Sequence, residues 1–325
     1  MTGIVLPYWP DTPALEALDV AGTADRLGFD ELWIGEMATF DAFALAGSLA
    51  VRTSRPLTVG PLAVGVRDPV ALALGIGSIA ALGARPAQLA LGASTPFVVE
   101  RWHGRPWHHT VTQLRETVEA LRPMLAGERS DFEGDQVRTT GFRLRVAPPN
   151  ATITLAAFGP RTVRLAGEIA DRMVLNLVTV DQVARLRAAL AEAAAAAGRS
   201  TPPIACWIAT AVDPSPSALD QLRRALVAYA GAPGYGEMFT DAGFGHVVTL
   251  ARSGAHPREV LAAVPVELVE AIGAVGSAAT VAQRLDEFHA AGVDDLALVP
   301  ATAGDEAAAR TLTELATWRP RTSTT

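Results

Sequence analysis

Lysine is absent: all 27 Lys+Arg positions of the chain are arginine. That removes Schiff-base aldolases, pyridoxal-phosphate enzymes and P-loop nucleotidases, each of which needs a lysine amine. Cysteine occurs once, at Cys206, so neither an internal disulfide nor a cysteine-based zinc site can form. Within the apolar run Ile204 to Ala211 it reads as a buried structural thiol. No H-E-x-x-H or Cys/His pattern is present, and no metal is expected. Ser54, Ser94 and Ser130 lack G-x-S-x-G surroundings, so a serine hydrolase is unsupported. No basic cluster offsets the net charge of −7, which argues against a nucleic acid or an acidic membrane as partner. There is no basic segment leading into an apolar one at the start, and the longest apolar stretches contain glycine, proline or charge. Neither a signal peptide nor a membrane span is expected, and the reading is a soluble cytoplasmic protein.

What the chain does have is apolar bulk, 50% hydrophobic against 19% charged over 325 residues, enough for a full core. Short apolar runs alternate with helical patterns. Strands are expected at Gly3 to Pro7, Glu31 to Gly35, Leu57 to Val64, Gln88 to Gly92, Ile153 to Ala157, Met173 to Leu177, Ile204 to Val212 and Leu296 to Pro300. Between them fall helices: Thr12 capping one opened by Pro13 and stopped by Gly28, Asp41 to Arg52, Asp68 capping one opened by Pro69, and His109 to Ala126. Pro160 to Ala170, Asp181 to Ala197 and Asp305 to Trp318 follow. Eight strands each followed by helix predict an α/β fold, a (β/α)8 TIM barrel forming one domain over 1–325. A doubly wound sheet is the competitor, but Pro7-Tyr8-Trp9-Pro10 after the first strand is nothing like a G-x-G-x-x-G loop. Insertions are expected at about 93–108 after strand four, at about 129–149 as a hairpin before strand five, and at about 231–275 after strand seven. The first and last lie on the face where barrel sites are built, and the hairpin lies on the other.

Four features can carry chemistry. Ala156-Ala157-Phe158-Gly159-Pro160-Arg161 sits where the fifth barrel strand becomes a helix; small residues, a helix start and an arginine make an anion site, or an ordinary turn. Gly60-Pro61 places proline in a buried strand, which suggests a bulge, a cis peptide or a mere strand end. Glu36-Met37 closes the second strand, where a carboxylate can act as acid or base or be structural. Trp102-His103-Gly104 and Trp107-His108-His109 suggest an aromatic pocket wall.

At these residues the chain resembles the luciferase-like monooxygenase superfamily, in its branch of F420-dependent oxidoreductases. The resemblance is carried by Leu27-Gly28-Phe29-Asp30-Glu31-Leu32-Trp33-Ile34-Gly35-Glu36, Arg67-Asp68-Pro69-Val70-Ala71-Leu72-Ala73 and Trp102-His103-Gly104-Arg105-Pro106. Ala156 to Asp171 with Met173-Val174-Leu175-Asn176-Leu177, and Ala291-Gly292-Val293-Asp294-Asp295-Leu296, complete it. It implies a barrel holding coenzyme F420, or alternatively FMN, at its C-terminal mouth. Gly60 and Pro61 would lie against the ring, with Ala93 and Ser94 beside it. The Ala156 to Arg161 turn would meet the coenzyme, Ala157, Gly159 and Arg161 at a phosphate, with Asn176 and Thr179 near the tail. Glu36 and His103 are the candidate catalytic residues; Met37, Trp102, Trp107, Tyr235 and Phe239 are candidates for the substrate pocket. Many members carry histidine where this chain has Met37, and methionine cannot shuttle a proton. The implied activity is hydride transfer between F420 and a small organic substrate. An FMN-dependent monooxygenase and a ligand-binding paralogue without turnover are the alternatives, and a homodimer is implied.

Overall fold

The computed structural model of the chain describes residues 1–319. Its strands are β1 (Thr2–Val5), β2 (Glu31–Ile34), β3 (Leu57–Ala63), β4 (Ala87–Gly92), β5 (Arg129–Glu133), β6 (Arg138–Arg143), β7 (Ile153–Ala156), β8 (Arg172–Asn176), β9 (Ile204–Val212), β10 (Gly273–Gly276) and β11 (Asp295–Pro300). The helices are α1 (Glu16–Leu27), α2 (Ala42–Ala50), α3 (Pro69–Gly83), α4 (Thr110–Leu125), α5 (Pro160–Ile169), α6 (Val180–Ala196) and α7 (Pro216–Ala230). After them come α8 (Tyr235–Phe239), α9 (Gly245–Arg252), α10 (Pro257–Ala263), α11 (Val266–Ile272), α12 (Ala278–Ala290) and α13 (Ala309–Leu315). One sheet has the order β10-β9-β11-β1-β2-β3-β4-β7-β8, with β9 also paired to β8. Eight of its strands alternate with helices as expected, and the fold is a (β/α)8 barrel.

The chain divides into two compact units. In the first (Met1–Phe29, Leu175–Arg187 and the residues from Ile204), β1, β9, β10 and β11 run parallel. In the second (Asp30–Val174 and Ala188–Pro203), β2, β3, β4, β7 and β8 form a parallel series, and β5 pairs with β6 as the expected hairpin. The strands are buried on both faces, as parallel strands under helices must be. Cys206 lies buried in β9, where burial pushes its thiol up and keeps it protonated.

Local signals place the helix starts. The Asp68 carboxylate accepts from the Ala71 N–H at 2.9 Å with Pro69 in the first position, and Asp41 does the same for Ala44 at 2.9 Å. The first helix departs from expectation. It begins at Glu16, and Pro13 to Leu15 form a tighter turn in which the Glu16 N–H meets the Pro13 carbonyl at 3.0 Å. Thr12 does not cap it, because its hydroxyl turns back to the Trp9 carbonyl at 3.4 Å. β10 lies inside the third insertion, where only helix and turn are expected; its neighbours there are α8 to α11.

Two devices stabilise the second unit. Glu116, buried on α4, accepts the N–H groups of Asp135, Gln136 and Val137 at 2.9, 2.7 and 2.9 Å and so fastens the hairpin turn. At the N-terminal ends of the parallel strands, Arg172 forks onto Glu31 at 3.1 and 3.0 Å, reaches Thr154, Thr58 and Gln88 at 3.2, 3.2 and 3.1 Å, and stacks over Trp33 at 4.5 Å. The Thr58 hydroxyl also donates to Glu31.

The arginines serve as helix clamps. Arg199 donates to the carbonyls of Gly167 and Ala170 at the end of α5, at 2.9 and 2.8 Å. Arg223 meets Val264 and Leu261 at 2.7 and 3.1 Å, and Arg284 meets Ala271 at 2.6 Å. One planar guanidinium spans two carbonyls, which a lysine ammonium does less well.

Candidate functional site

In the second unit, the C-terminal ends of β3, β4 and β7 carry almost no side chain. The Gly60–Pro61 bond is cis, and the β3–β4 register shifts between Val59 and Leu62, so the expected bulge is present. Gly60 has φ +119°, and a Cβ there would stand 2.1 Å from the Ala90 carbonyl oxygen, so only glycine fits. A Cβ on Gly92 would lie 3.4 Å from that of Ala156 and 3.6 Å from that of Pro61. Pro61, Gly92 and Ala156 therefore stand side by side from three strands and leave a shallow cradle. Ala93 and Ser94 continue it, Ser94 with φ +60°, and the Trp107 indole donates to the Ala93 carbonyl at 2.9 Å.

Beside the cradle, α5 opens at Gly159 with no side-chain cap, Pro160 leads it, and Arg161 is exposed. Ala157 is buried and Phe158 half-buried. Uncapped N–H groups and an outward guanidinium favour an anion.

Glu36 ends at a fixed point. Arg67 Nε donates to its Oε2 at 3.1 Å, Arg67 Nη2 to its Oε1, and the Ala42 N–H at 3.2 Å. Arg67 also pairs with Asp41 and lies over Phe43 at 5.2 Å. Burial works against the Asp41 charge, but Arg67 and the Ala44 and Phe43 N–H groups outweigh it and hold the carboxyl below its ordinary range. The carboxylates raise Arg67 further. Met37 is half-buried next along the chain.

The first insertion holds one turn of π-helix, Phe97–Trp102, pinned by fully buried Val99. Trp102 is exposed and stacks edge-on against Phe97 at 5.5 Å, and His103 is exposed. Among the described residues no three His, Cys, Asp or Glu converge as metal ligands.

The first unit gathers a second set. Asn176 closes β8 and hydrogen-bonds Tyr235, whose ring meets Tyr229 at 4.8 Å. Tyr8, shortly after β1, lies 5.6 Å from Trp9 and 6.2 Å from Trp207. The Trp9 indole donates to the Pro300 carbonyl at 3.3 Å, fixing this loop to the end of β11. Burial pushes all three phenols up; for Tyr8 the neighbouring Tyr229 and Tyr235 add to it. Thr179 and Gln182 form a reciprocal capping box at 3.0 and 3.2 Å at the start of α6. Phe239 is fully buried in the packing of this unit. Of this group, sequence reasoning singled out Asn176, Thr179, Tyr235 and Phe239 and missed Tyr8, Tyr229 and Trp207. An aromatic pair directly after the first strand, at the barrel's functional end, was the available signal.

Known proteins share this fold. A family model described as luciferase-like monooxygenase matches residues 5–295. A 5,10-methylenetetrahydromethanopterin reductase of Methanolobus tindarius is 28% identical over 173 residues, 53% of either chain; the match thus spans about half the length of that relative. The solved coenzyme F420-dependent tetrahydromethanopterin reductase of Methanopyrus kandleri superposes with a TM-score of 0.80 at 20% identity, covering 98% of this chain and 97% of that one. An FMN complex of a type II Baeyer–Villiger monooxygenase from Pseudomonas putida gives 0.69 at 20% identity, over 98% and 96%. By the extent of the family match, the chain belongs to the luciferase-like monooxygenase family.

Proposed function

We propose that the protein is an oxidoreductase that transfers hydride between coenzyme F420 and a small organic substrate. The cradle of Pro61, Gly92 and Ala156 carries this reading, because three strand ends stripped of side chain admit a flat tricyclic ring. Ala93 and Ser94 would border the ring, and the backbone N–H groups at the start of α5 with the Arg161 guanidinium would take a phosphate. When bound, the deazaflavin supplies or accepts the hydride. The chain's own part is to hold the ring at fixed distance and exclude water. In this reading Glu36 stays a paired carboxylate that ties the end of β2 to α2 through Arg67, and His103 contributes from an exposed loop. F420 dependence of two kinds of relative adds support: the solved reductase named above, and a putative coenzyme F420-dependent oxidoreductase of Mycobacterium tuberculosis, 28% identical over 186 residues.

FMN is the second reading, favoured by the FMN-bound neighbour of the same fold. Titration of the purified protein with each coenzyme decides between them. Quenching of F420 fluorescence without FMN binding is expected; FMN binding alone would transfer the reading to a monooxygenase, and binding without any hydride exchange to a paralogue that does not turn over. We further read the protein as a homodimer. α2 and α3 contain no charged residue, and their outer faces show Ala44, Val51, Leu74, Ser78 and Leu82. Two such faces are self-complementary, and sedimentation velocity checks the dimer.

A further inference from the structure

Most arginines of the second unit meet a carboxylate or a carbonyl, as Arg67, Arg122 and Arg172 do. Four do not. Arg101, Arg105, Arg161 and Arg164 are exposed, and their guanidinium groups have no carboxylate or carbonyl partner among the described residues. The acids near them are already engaged. Glu100, the one acid between Ala93 and His109, accepts the Trp107 N–H at 3.4 Å, and Glu168 on α5 pairs with Arg115 of α4. Neither α4 nor α5 has an acidic residue in its first turn.

The four arginines converge. Arg161, Arg164 and Glu168 are three and four positions apart, so they share one side of α5. The Arg115–Glu168 pair turns that side toward α4. Further along both helices, Arg122 reaches the Ile169 carbonyl at 2.7 Å and Asp171 at 2.6 Å, so α4 and α5 run parallel with their starts together. The first insertion leads into the start of α4 and brings Arg101 and Arg105 to the same rim. It is a fixed platform. Val99 is buried beneath it, the Arg105 N–H meets the Val99 carbonyl at 3.0 Å, and the Gly104 N–H meets that of Glu100 at 3.0 Å. The Trp107 indole ties it to Ala93 beside the cradle. Arg101 lies over the Phe97 ring at 5.8 Å, which steadies its guanidinium. On a chain of net charge −7, this rim gathers like charges without a counter-charge.

We infer that this rim binds the polyanionic tail of the coenzyme whose ring lies in the cradle; this rests on the F420 reading above. Beyond its phosphate, F420 carries a chain of glutamates, each of which adds a carboxylate. Arginine meets a carboxylate through two parallel N–H donors, so successive carboxylates suit neighbouring guanidinium groups. FMN ends at its phosphate and would leave Arg101 and Arg105 without a ligand. The contacts are exposed, so each is modest and screened by salt, and their sum favours a long tail over a short one.

The test titrates the whole protein with long-tailed F420, short-tailed F420 and the deazaflavin chromophore lacking both phosphate and tail, read by deazaflavin fluorescence. At low salt the long-tailed form should bind at least about 5-fold more tightly than the short-tailed one, and high salt should erase most of that advantage. Arg101→Gln combined with Arg105→Gln, and separately Arg164→Gln, should weaken the long-tailed form by about 3-fold or more. Both variants should leave the tail-less chromophore within about 2-fold of the parent. Equal affinity for long and short tails would overturn the proposal while leaving the coenzyme reading in place. So would variants that bind the long-tailed form as the parent does, or that lose the tail-less chromophore to the same extent. Failure of all three probes to bind would remove the coenzyme reading and the proposal together.

Discussion

At their N-terminal ends, β2, β3, β4, β7 and β8 share the polar network of Glu31, Thr58, Gln88, Thr154 and Arg172. At their C-terminal ends, β3, β4 and β7 offer Pro61, Gly92 and Ala156. The first arrangement is complete. Arg172 and Glu31 are 5% and 4% exposed, and each charge is met by another residue of the same network. The second is open, with side-chain volume missing from three neighbouring positions. A buried ion pair that satisfies itself has nothing left for a ligand and sets geometry. A place where side chains are lacking is held in shape by everything around it. The same strands thus build scaffold at one end and, in the proposed reading, a binding surface at the other.

Breaking the closed end should have the largest effect. Arg172→Met leaves Glu31 buried without its partner and should cost about 3–5 kcal/mol in chemical denaturation, most of it recovered when Glu31→Leu is added. A loss under about 1 kcal/mol would mean that the two ends do not differ as described. Filling the open end should do the reverse. Ala156→Leu should reduce F420 binding about 100-fold or more by fluorescence titration, while the denaturation midpoint stays close to the parent's. A large fall in stability with binding intact would make Ala156 a packing residue. Arg161→Ala should weaken coenzyme binding by about 1.5–3 kcal/mol if it meets phosphate through a charged hydrogen bond, and unchanged affinity in calorimetry removes Arg161 from the site. The smallest effect is expected from Glu36→Gln, which keeps the shape but exchanges one of two accepting oxygens for an NH2 donor and removes the charge, in a pair that still contacts solvent. Turnover should move by less than about 10-fold, and a drop beyond about 100-fold in a folded variant would restore Glu36 to proton chemistry.

Legibility in the sequence followed distance along the chain. Asp68-Pro69 announces α3 because cap and first turn are neighbours. Thr12-Pro13 announces a helix start too early, because the hydroxyl has a competing acceptor in Trp9. β10 is four residues with glycine at both ends, and only its pairing with β9 makes it a strand. The cradle residues were readable as small residues at strand ends, reinforced by the resemblance. The Glu31–Arg172 pair spans 141 positions and has no local signature. The aromatic set of the first unit was half visible: Tyr235 stands out in a glycine-rich turn, but nothing near Tyr8 in sequence says that Trp207 will pack beside it, nor near Tyr235 that Asn176 will hold it.

The arginine clamps on the ends of α5, α10 and α11 bear on behaviour in alkali. A guanidinium keeps its proton at any pH a protein meets, so these fastenings persist where ammonium-based ones would fail. The weak point is instead the phenols. Burial raises Tyr8, Tyr229 and Tyr235 above their ordinary value of about 10. Their contribution to folding is intact below that value and drains away as the pH climbs through the raised ones, because the unfolded chain ionises first. Base-induced unfolding, followed by circular dichroism, should therefore track tyrosinate absorbance, and replacing the three by phenylalanine should move the transition to higher pH.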